Sequence, residues 1–173
     1  MSAAGASVRA AGPQDWQALR ALRLEALEDT PIGFLEQLAD AREHDEAAWR
    51  ARAQAWTAAP HSALLFAERD GLPVGMLGLT DDPSWVPPGA VFVLAVYLQP
   101  GARGAGVLGA LVGQAEHWAR GRGADRMLLE VHEDNARAQR AYARVGFADT
   151  GERSPYDPDP TQQELVMERS LRP

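Results

Sequence analysis

Between Pro13 and Pro31 the apolar residues Leu19, Leu22, Ala26 and Leu27 recur at spacings that place them on one face of a helix. Asp15 is the expected N-cap of that helix and Pro31 its stop. A second helical region covers 35–57, with Leu35, Leu38, Trp49 and Ala53 as its buried stripe. Ahead of both, "SVRAA" (7–11) reads as a short strand. The period then changes. "SALLFAER" (62–69) and "LPVGMLGLT" (72–80) are strand-like runs meeting at Asp70-Gly71, a strong hairpin signal. "DDPSWVPPG" (81–89) is a loop. "AVFVLAVYL" (90–98) is an unbroken apolar run, the pattern of a strand buried on both faces.

Further on, Val107, Leu111, Ala115 and Trp118 mark an amphipathic helix ending near Gly121, and "DRMLLEVH" (125–132) is a second buried strand. "NARAQRAYARVG" is a short helix with Asn135 as N-cap and Gly146 as C-terminal stop. "FADTGER" and "QQELVMERSL" are two more strands, joined by the proline-rich "SPYDPDP". The order β-α-α-β-β-β-α-β-α-β-β predicts an α/β (α+β) fold: a mixed, mostly antiparallel central sheet flanked by helices. No linker or repeat divides the chain, so residues 1–173 read as one domain.

Composition narrows the function. The chain has 173 residues, 46% hydrophobic and 24% charged, which is ordinary for a globular domain. No apolar run reaches the roughly 20 residues of a membrane span. "MSAAGASVRA" lacks the apolar centre of a signal peptide, so a cytoplasmic protein with no membrane partner is expected. The net charge of −7 disfavours nucleic acid, whose phosphates are bound chiefly by cations, and is explained first by simple solubility, while also suiting a small cationic partner such as an amine. There are no cysteines, and His44, His61 and His117 lack ligand-like spacing, so no metal is expected.

The residues with the most chemical content lie in "ARGAGVLGALV" (102–112). Gly104, Gly106 and Gly109 spell G-x-G-x-x-G, and Glu130 follows about 20 residues on, as in a dinucleotide-binding turn. The context excludes that reading. Five residues separate Leu98 from Gly104, hairpin-like strands precede the motif, and only 64 residues follow Gly109, too few for the remaining βαβ units. The physics of the turn stands regardless. Backbone N–H groups entering a helix N-terminus attract an anion, glycines let it come close, and Arg103 adds a cation.

The stretch "LAVYLQPGARGAGVLGALV" resembles the acyl-CoA motif of the GCN5-related N-acetyltransferases (GNAT): a strand, a short loop, then Gln/Arg-x-x-Gly-x-Gly/Ala opening a helix. Arg103 and Gly106 occupy its key positions, and Leu108 stands where the family has a small residue. A second family motif, Asn-x-x-Ala-x-x-x-Tyr-x-x-x-Gly-Phe, resembles "NARAQRAYARVGF", with Asn135, Ala138, Tyr142, Gly146 and Phe147 in register. The resemblance covers roughly 62–170. It implies a core for acyl-CoA over 90–147, with 30–60 and 81–89 as variable, acceptor-side segments.

The resemblance also implies roles. The backbone of Val96, Tyr97 and Leu98 would bond the pantetheine arm where the central strands splay. Arg103, Gly104, Ala105, Gly106, Val107, Leu108 and Gly109 would hold the pyrophosphate, with Asn135, Ala138 and Tyr142 completing the cofactor site. Tyr142 would protonate the leaving thiolate, and Glu130 would either take the proton from the amine or pair with a neighbouring arginine. Glu130 lies in an apolar strand, where burial would raise its pKa. His132 shares its strand face, to assist or to end the strand at the surface. The implied activity is acetyl-CoA-dependent transfer of an acetyl group to a primary amine of a small molecule or peptide, directly within a ternary complex. The alternative is an acyl-CoA-binding module of the same fold without turnover. Glu36, Asp40, Glu43, Asp157 and Asp159 fit either a cationic acceptor or a solvated surface, and a monomer and a homodimer are both compatible with the sequence.

Overall fold

Asp70 and Gly71 both take positive φ, 53° and 76°, the signature of a tight turn matched to the twist of its strands. They join β2 (Ser62–Arg69) to β3 (Leu72–Thr80). In the computed structural model, which describes residues 6–172, this hairpin is half of an antiparallel run. Strand β1 (Ala6–Ala10) pairs with β2, and β3 pairs with β4 (Ala90–Leu98). β4 then lies parallel to β5 (Arg126–His132), and β6 (Ala148–Pro155) and β7 (Gln163–Ser170) close the other edge. The seven strands run β1-β2-β3-β4-β5-β7-β6, the mixed, mostly antiparallel sheet expected.

Alternation sorts the side chains to two faces. Leu65, Ala67, Leu77, Leu79, Met127, Leu129 and Val131 point to one side, where they pack under α4 (Val107–Gly121) and its Leu111 and Ala115. Leu64, Phe66, Met76 and Tyr97 point to the other, against α1 (Trp16–Asp29) and α3 (Glu46–Ala58). Leu19, Leu22, Ala26 and Leu27 of α1 are all buried there, as their spacing predicts.

Three local expectations are corrected. The region 35–57 is two helices, α2 (Leu38–Glu43) and α3, because extended backbone at His44 and Asp45 breaks it. Asp45 starts the second helix by accepting a hydrogen bond from the Ala48 N–H at 2.8 Å, and Leu35 is left 53% exposed, outside the stripe. Asp15 stands at the N-cap position of α1, but its carboxylate bonds no N–H of that helix: it is taken by Arg9 and by the Gly12 N–H at 2.7 Å. A 3₁₀ turn, Pro13–Asp15, precedes α1. Finally, Ser154 and Pro155 extend β6 into what reads as loop.

Candidate active site

The site exists because two neighbouring strands part. β4 and β5 are paired only from Ala90–Arg126 to Phe92–Leu128. Beyond that, β4 stays with β3 and β5 stays with β7, so a gap opens between them. A bulge in β4 sharpens the turn-away: its register against β3 shifts between Leu94 and Tyr97, and Ala95 sits at φ 50°, unusual for a residue with a side chain. A cavity of about 440 Å³ fills the gap and is lined from both faces of the sheet.

At one end of the cavity is the glycine turn. Gly104 and Gly106 have φ of 73° and 77°, a region only glycine enters freely, and Gly106 is the residue before α4. Among the described residues, the backbone N–H groups from Gly104 to Gly109 have no acceptor. A Cβ added at Gly104, Gly106 or Gly109 meets nothing within 4 Å, so the cradle is open. Six unpaired donors at a helix N-terminus are a ready anion site. Arg103 and Arg137 stand beside it. The Arg103 Nε donates to the Leu98 carbonyl at 3.0 Å, its guanidinium pairs with Asp29, and Arg137 donates to Thr30 Oγ1 at 2.8 Å. Burial works against the charge of Asp29, but hydrogen bonds from Thr30 and Arg103 and the nearby Arg137 keep its carboxyl below the usual range.

The middle of the cavity is walled by α5 (Ala136–Arg144). The Asn135 side chain accepts from the Ala138 N–H at 3.2 Å to start this helix. Gly146 (φ 91°) ends it, and the Phe147 N–H returns to the Tyr142 carbonyl at 3.1 Å. The Tyr142 ring packs edge-on to Phe147 at 6.0 Å, and among the described residues its hydroxyl has no hydrogen-bond partner. Burial pushes the phenol above its ordinary pKa, so it stays protonated. Because Asn135 acts through this helix, Asn135→Ala should lower stability by about 1 kcal/mol, read as a fall in the thermal midpoint.

This arrangement, a splayed pair of strands, an open anion cradle and a tyrosine with an unengaged hydroxyl, agrees with comparison to known proteins. The family model described as "Acetyltransferase (GNAT) family" matches residues 16–147.

The chain belongs to the GNAT acetyltransferase family.

As a GNAT protein it has curated relatives named as acetyltransferases. An "IAA acetyltransferase" of Azospirillum brasilense is 35% identical over 114 residues, which are 66% of this chain and 71% of that protein. An uncharacterized N-acetyltransferase of Mycobacterium tuberculosis is 39% identical over 97 residues, 55% of this chain and 58% of that one. The chain therefore spans little more than half the length of the mycobacterial relative. Among solved structures, yncA of Salmonella typhimurium with acetyl-CoA superposes with a TM-score of 0.76 at 21% identity, covering 98% of this chain and 95% of that one. PaiA of Thermoplasma acidophilum with coenzyme A gives 0.73 at 17% identity, covering 96% and 99%. At such identities the two structures speak to the fold. No helix of the described residues is long and apolar enough to cross a membrane.

Most of the site residues expected from the sequence converge on this one GNAT cavity. Val96, Tyr97, Leu98, Arg103, Gly104, Gly106, Val107, Leu108, Gly109, Glu130, Ala138 and Tyr142 all line it. Ala105 lies in the cradle loop and Asn135 beneath α5, and neither side chain reaches the lining. Leu108 is half-buried and packs against the α4 core. The segment 30–60 also meets the proline-rich loop "SPYDPDP" here, since Thr30, Gly33 and Phe34 line the cavity and the Tyr156 hydroxyl donates to the Phe34 carbonyl at 3.1 Å.

Two expectations about β5 are corrected. Glu130 is exposed, not buried, and accepts from the Ser154 hydroxyl at 2.8 Å. Met127, Leu129 and Val131 point under α4, so Glu130 faces the opposite side, where α1 and α3 cover other strands. His132, with 1% exposure, does not end the strand at the surface. Its Nδ1 accepts from the Asp134 N–H at 3.1 Å, which assigns the proton to Nε2, donating to Gln162 Oε1 at 2.6 Å. Of the acidic candidates for the acceptor, Glu36 is already spent. Although burial opposes it, hydrogen bonds from Arg52 and Arg23 hold its carboxyl down to about 2. Several lining residues escaped the sequence reading, among them Arg137 and Arg144 of α5 and Glu164 of β7.

Proposed function

We propose that this protein transfers the acetyl group of acetyl-CoA directly to a primary amine of a small molecule or peptide, both substrates being held together in the splayed cavity. The observation that carries this reading is the continuity of that cavity. It joins the six free N–H groups of the cradle to the unpartnered Tyr142 hydroxyl, and both to a carboxylate end at Glu130. Residues 103–109 fit a pyrophosphate by charge, by donor geometry and by the open space at their glycines. Beyond the bulge, β4 has left β5, so backbone groups of Val96 to Leu98 are available to an extended amide-bearing chain such as pantetheine. The coenzyme-bound structures of similar fold support the same donor.

Tyr142 supplies the proton that the departing thiolate takes up. A phenol above its ordinary pKa is a weaker acid than a thiol of pKa about 8.5, so this transfer is uphill by itself and is driven by the acidic proton on the newly bonded nitrogen, whose loss restores Tyr142. Removal of the amine's proton falls to the acidic end of the cavity, where Glu130 stands. The negative charge there suits an acceptor that arrives as an ammonium cation.

The test is release of free CoA thiol from acetyl-CoA on incubation with a panel of primary amines. Turnover above background with at least one amine is expected; tight CoA binding with no turnover across a broad panel would favour the non-catalytic module. Leu108 supplies a second check. Its half-buried side chain packs against the α4 core while also lining the cavity, so Leu108→Ala should cost about 1–2 kcal/mol of stability, less than for a fully buried leucine. CoA affinity should change less than about threefold (about 0.6 kcal/mol) by calorimetry. A tenfold gain would mean that the leucine obstructs the cradle.

A further inference from the structure

We infer that Glu164, on the opposite strand from Glu130, is the group that takes the proton from the acceptor ammonium, with Glu130 beside it holding the substrate's charge. The inference rests on the acetyltransferase reading above and assigns its proton acceptor.

The register of three strands puts Glu164 in place. It lies directly across from His132 on β5 and from Ser154 on β6, so it shares their face of the sheet. Glu130, two residues before His132, is on the same face, and its hydrogen bond to Ser154 ties it to the same corner. Leu165 and Met167 of β7 point the other way, toward the α4 core. Glu164 is thus at the acceptor end of the cavity that also contains Tyr142 and the cradle.

What distinguishes Glu164 is the company it keeps. Other partly sheltered carboxylates of the molecule are matched to arginine: Asp15 to Arg9, Glu36 to Arg23 and Arg52, Asp81 to Arg122, Glu116 to Arg169. Among the described residues, half-buried Glu164 has neither a salt bridge nor a hydrogen bond. The titratable groups facing it are Glu130 and His132 from β5 and Tyr156 and Asp157 from the loop after β6. None supplies a cation: His132 has Nδ1 occupied as an acceptor and its proton on Nε2. Burial first, then the charges of Glu130 and Asp157, push the Glu164 carboxyl up to about 7. A carboxylate left in this condition is poised to accept a proton near neutral pH, and a cation is the partner its surroundings lack.

The step balances as follows. An N–H bond of the ammonium breaks and its proton passes to a Glu164 carboxylate oxygen, leaving the lone pair on nitrogen. The lone pair forms the bond to the acetyl carbon while the C–S pair goes to sulfur, which takes the proton of the Tyr142 hydroxyl. The nitrogen's second surplus proton is lost through solvent and restores Tyr142. Glu164 returns its own to water at the mouth, where Glu130 is exposed.

The experiment compares wild type, Glu164→Gln and Glu164→Asp by thiol release from acetyl-CoA. The acceptors are an alkylamine of pKa about 10 and an amine of pKa about 6, which is already neutral at pH 7. For wild type, kcat/KM for the alkylamine falls below pH about 7. For Glu164→Gln it drops on the order of 100-fold at pH 7, loses that acid limb and recovers as the pH approaches the pKa of the amine, whereas the weakly basic amine loses less than about threefold. Glu164→Asp keeps the acid limb at reduced rate. CoA affinity by calorimetry is unchanged in both variants. An unaltered pH profile in Glu164→Gln overturns the assignment, and so does an equal loss with both amines, the mark of a structural role. In either case a wild type active on the same amines leaves the acetyltransferase reading standing. A wild type that binds CoA and releases no thiol with any amine removes that reading, and this assignment with it.

Discussion

Tyr142→Phe lowers the rate of acetyl transfer by on the order of 100-fold or more, the usual contribution of a positioned proton donor, and leaves CoA affinity within about twofold. The substitution deletes one oxygen and nothing else. The ring keeps its edge-on contact with Phe147 and its place against the α4 core. The hydroxyl has no hydrogen-bond partner among the described residues, so its loss strands no donor or acceptor. Stability should therefore move by less than about 0.5 kcal/mol, and a fall in kcat is the signal to measure. A donor that matters only as sulfur leaves should change kcat and kcat/KM together. Unchanged turnover would remove Tyr142 from the chemistry and leave it as a packing residue.

Gly106→Val removes CoA binding, with Kd weakened by at least about 100-fold, equivalent to about 2.7 kcal/mol. Two effects add. A β-branched residue at φ 77° is strained by about 1–2 kcal/mol, and the turn relaxes by rotating its N–H groups out of the cradle. The new side chain also projects into the open space the cradle keeps clear, where a Cβ meets nothing within 4 Å. Gly121→Ala is the control. Gly121 is equally unobstructed, lies at the far end of α4 and needs no positive φ. It should leave CoA affinity unchanged by calorimetry, so a loss in both variants would point to general damage to α4.

How far the sequence reached differs from element to element. The Asp70-Gly71 hairpin, the buried strands and the stripe of α1 were legible because each is set by neighbours within one turn or one strand. The break at His44-Asp45 was not, since the Ala- and Arg-rich residues on both sides are good helix formers and only the Asp45 cap separates them. Asp15 illustrates a local signal outbid by a distant one: it has the chemistry of a cap, and Arg9 takes its carboxylate. In the candidate site, Tyr142 and the cradle glycines sit in contiguous motifs and could be named at once. Glu130 lines the cavity, but in surroundings its sequence neighbours do not suggest. Its flanking residues are apolar, but they pack under α4 on the face to which Glu130 turns its back.

By itself, then, the sequence determined most of the elements, their periodicity, the family and the glycine turn that opens α4. Each depends on spacing along the chain, which fixes helix faces, strand alternation and the run of N–H groups entering α4. Only the tertiary structure decided where β4 and β5 part, which carboxylates meet at the acceptor end and which of them lack a cation. Those are outcomes of pairing between segments far apart. Glu164 faces His132 because β7 returns to lie beside β5, and no property of "QELVMERS" read alone carries that register.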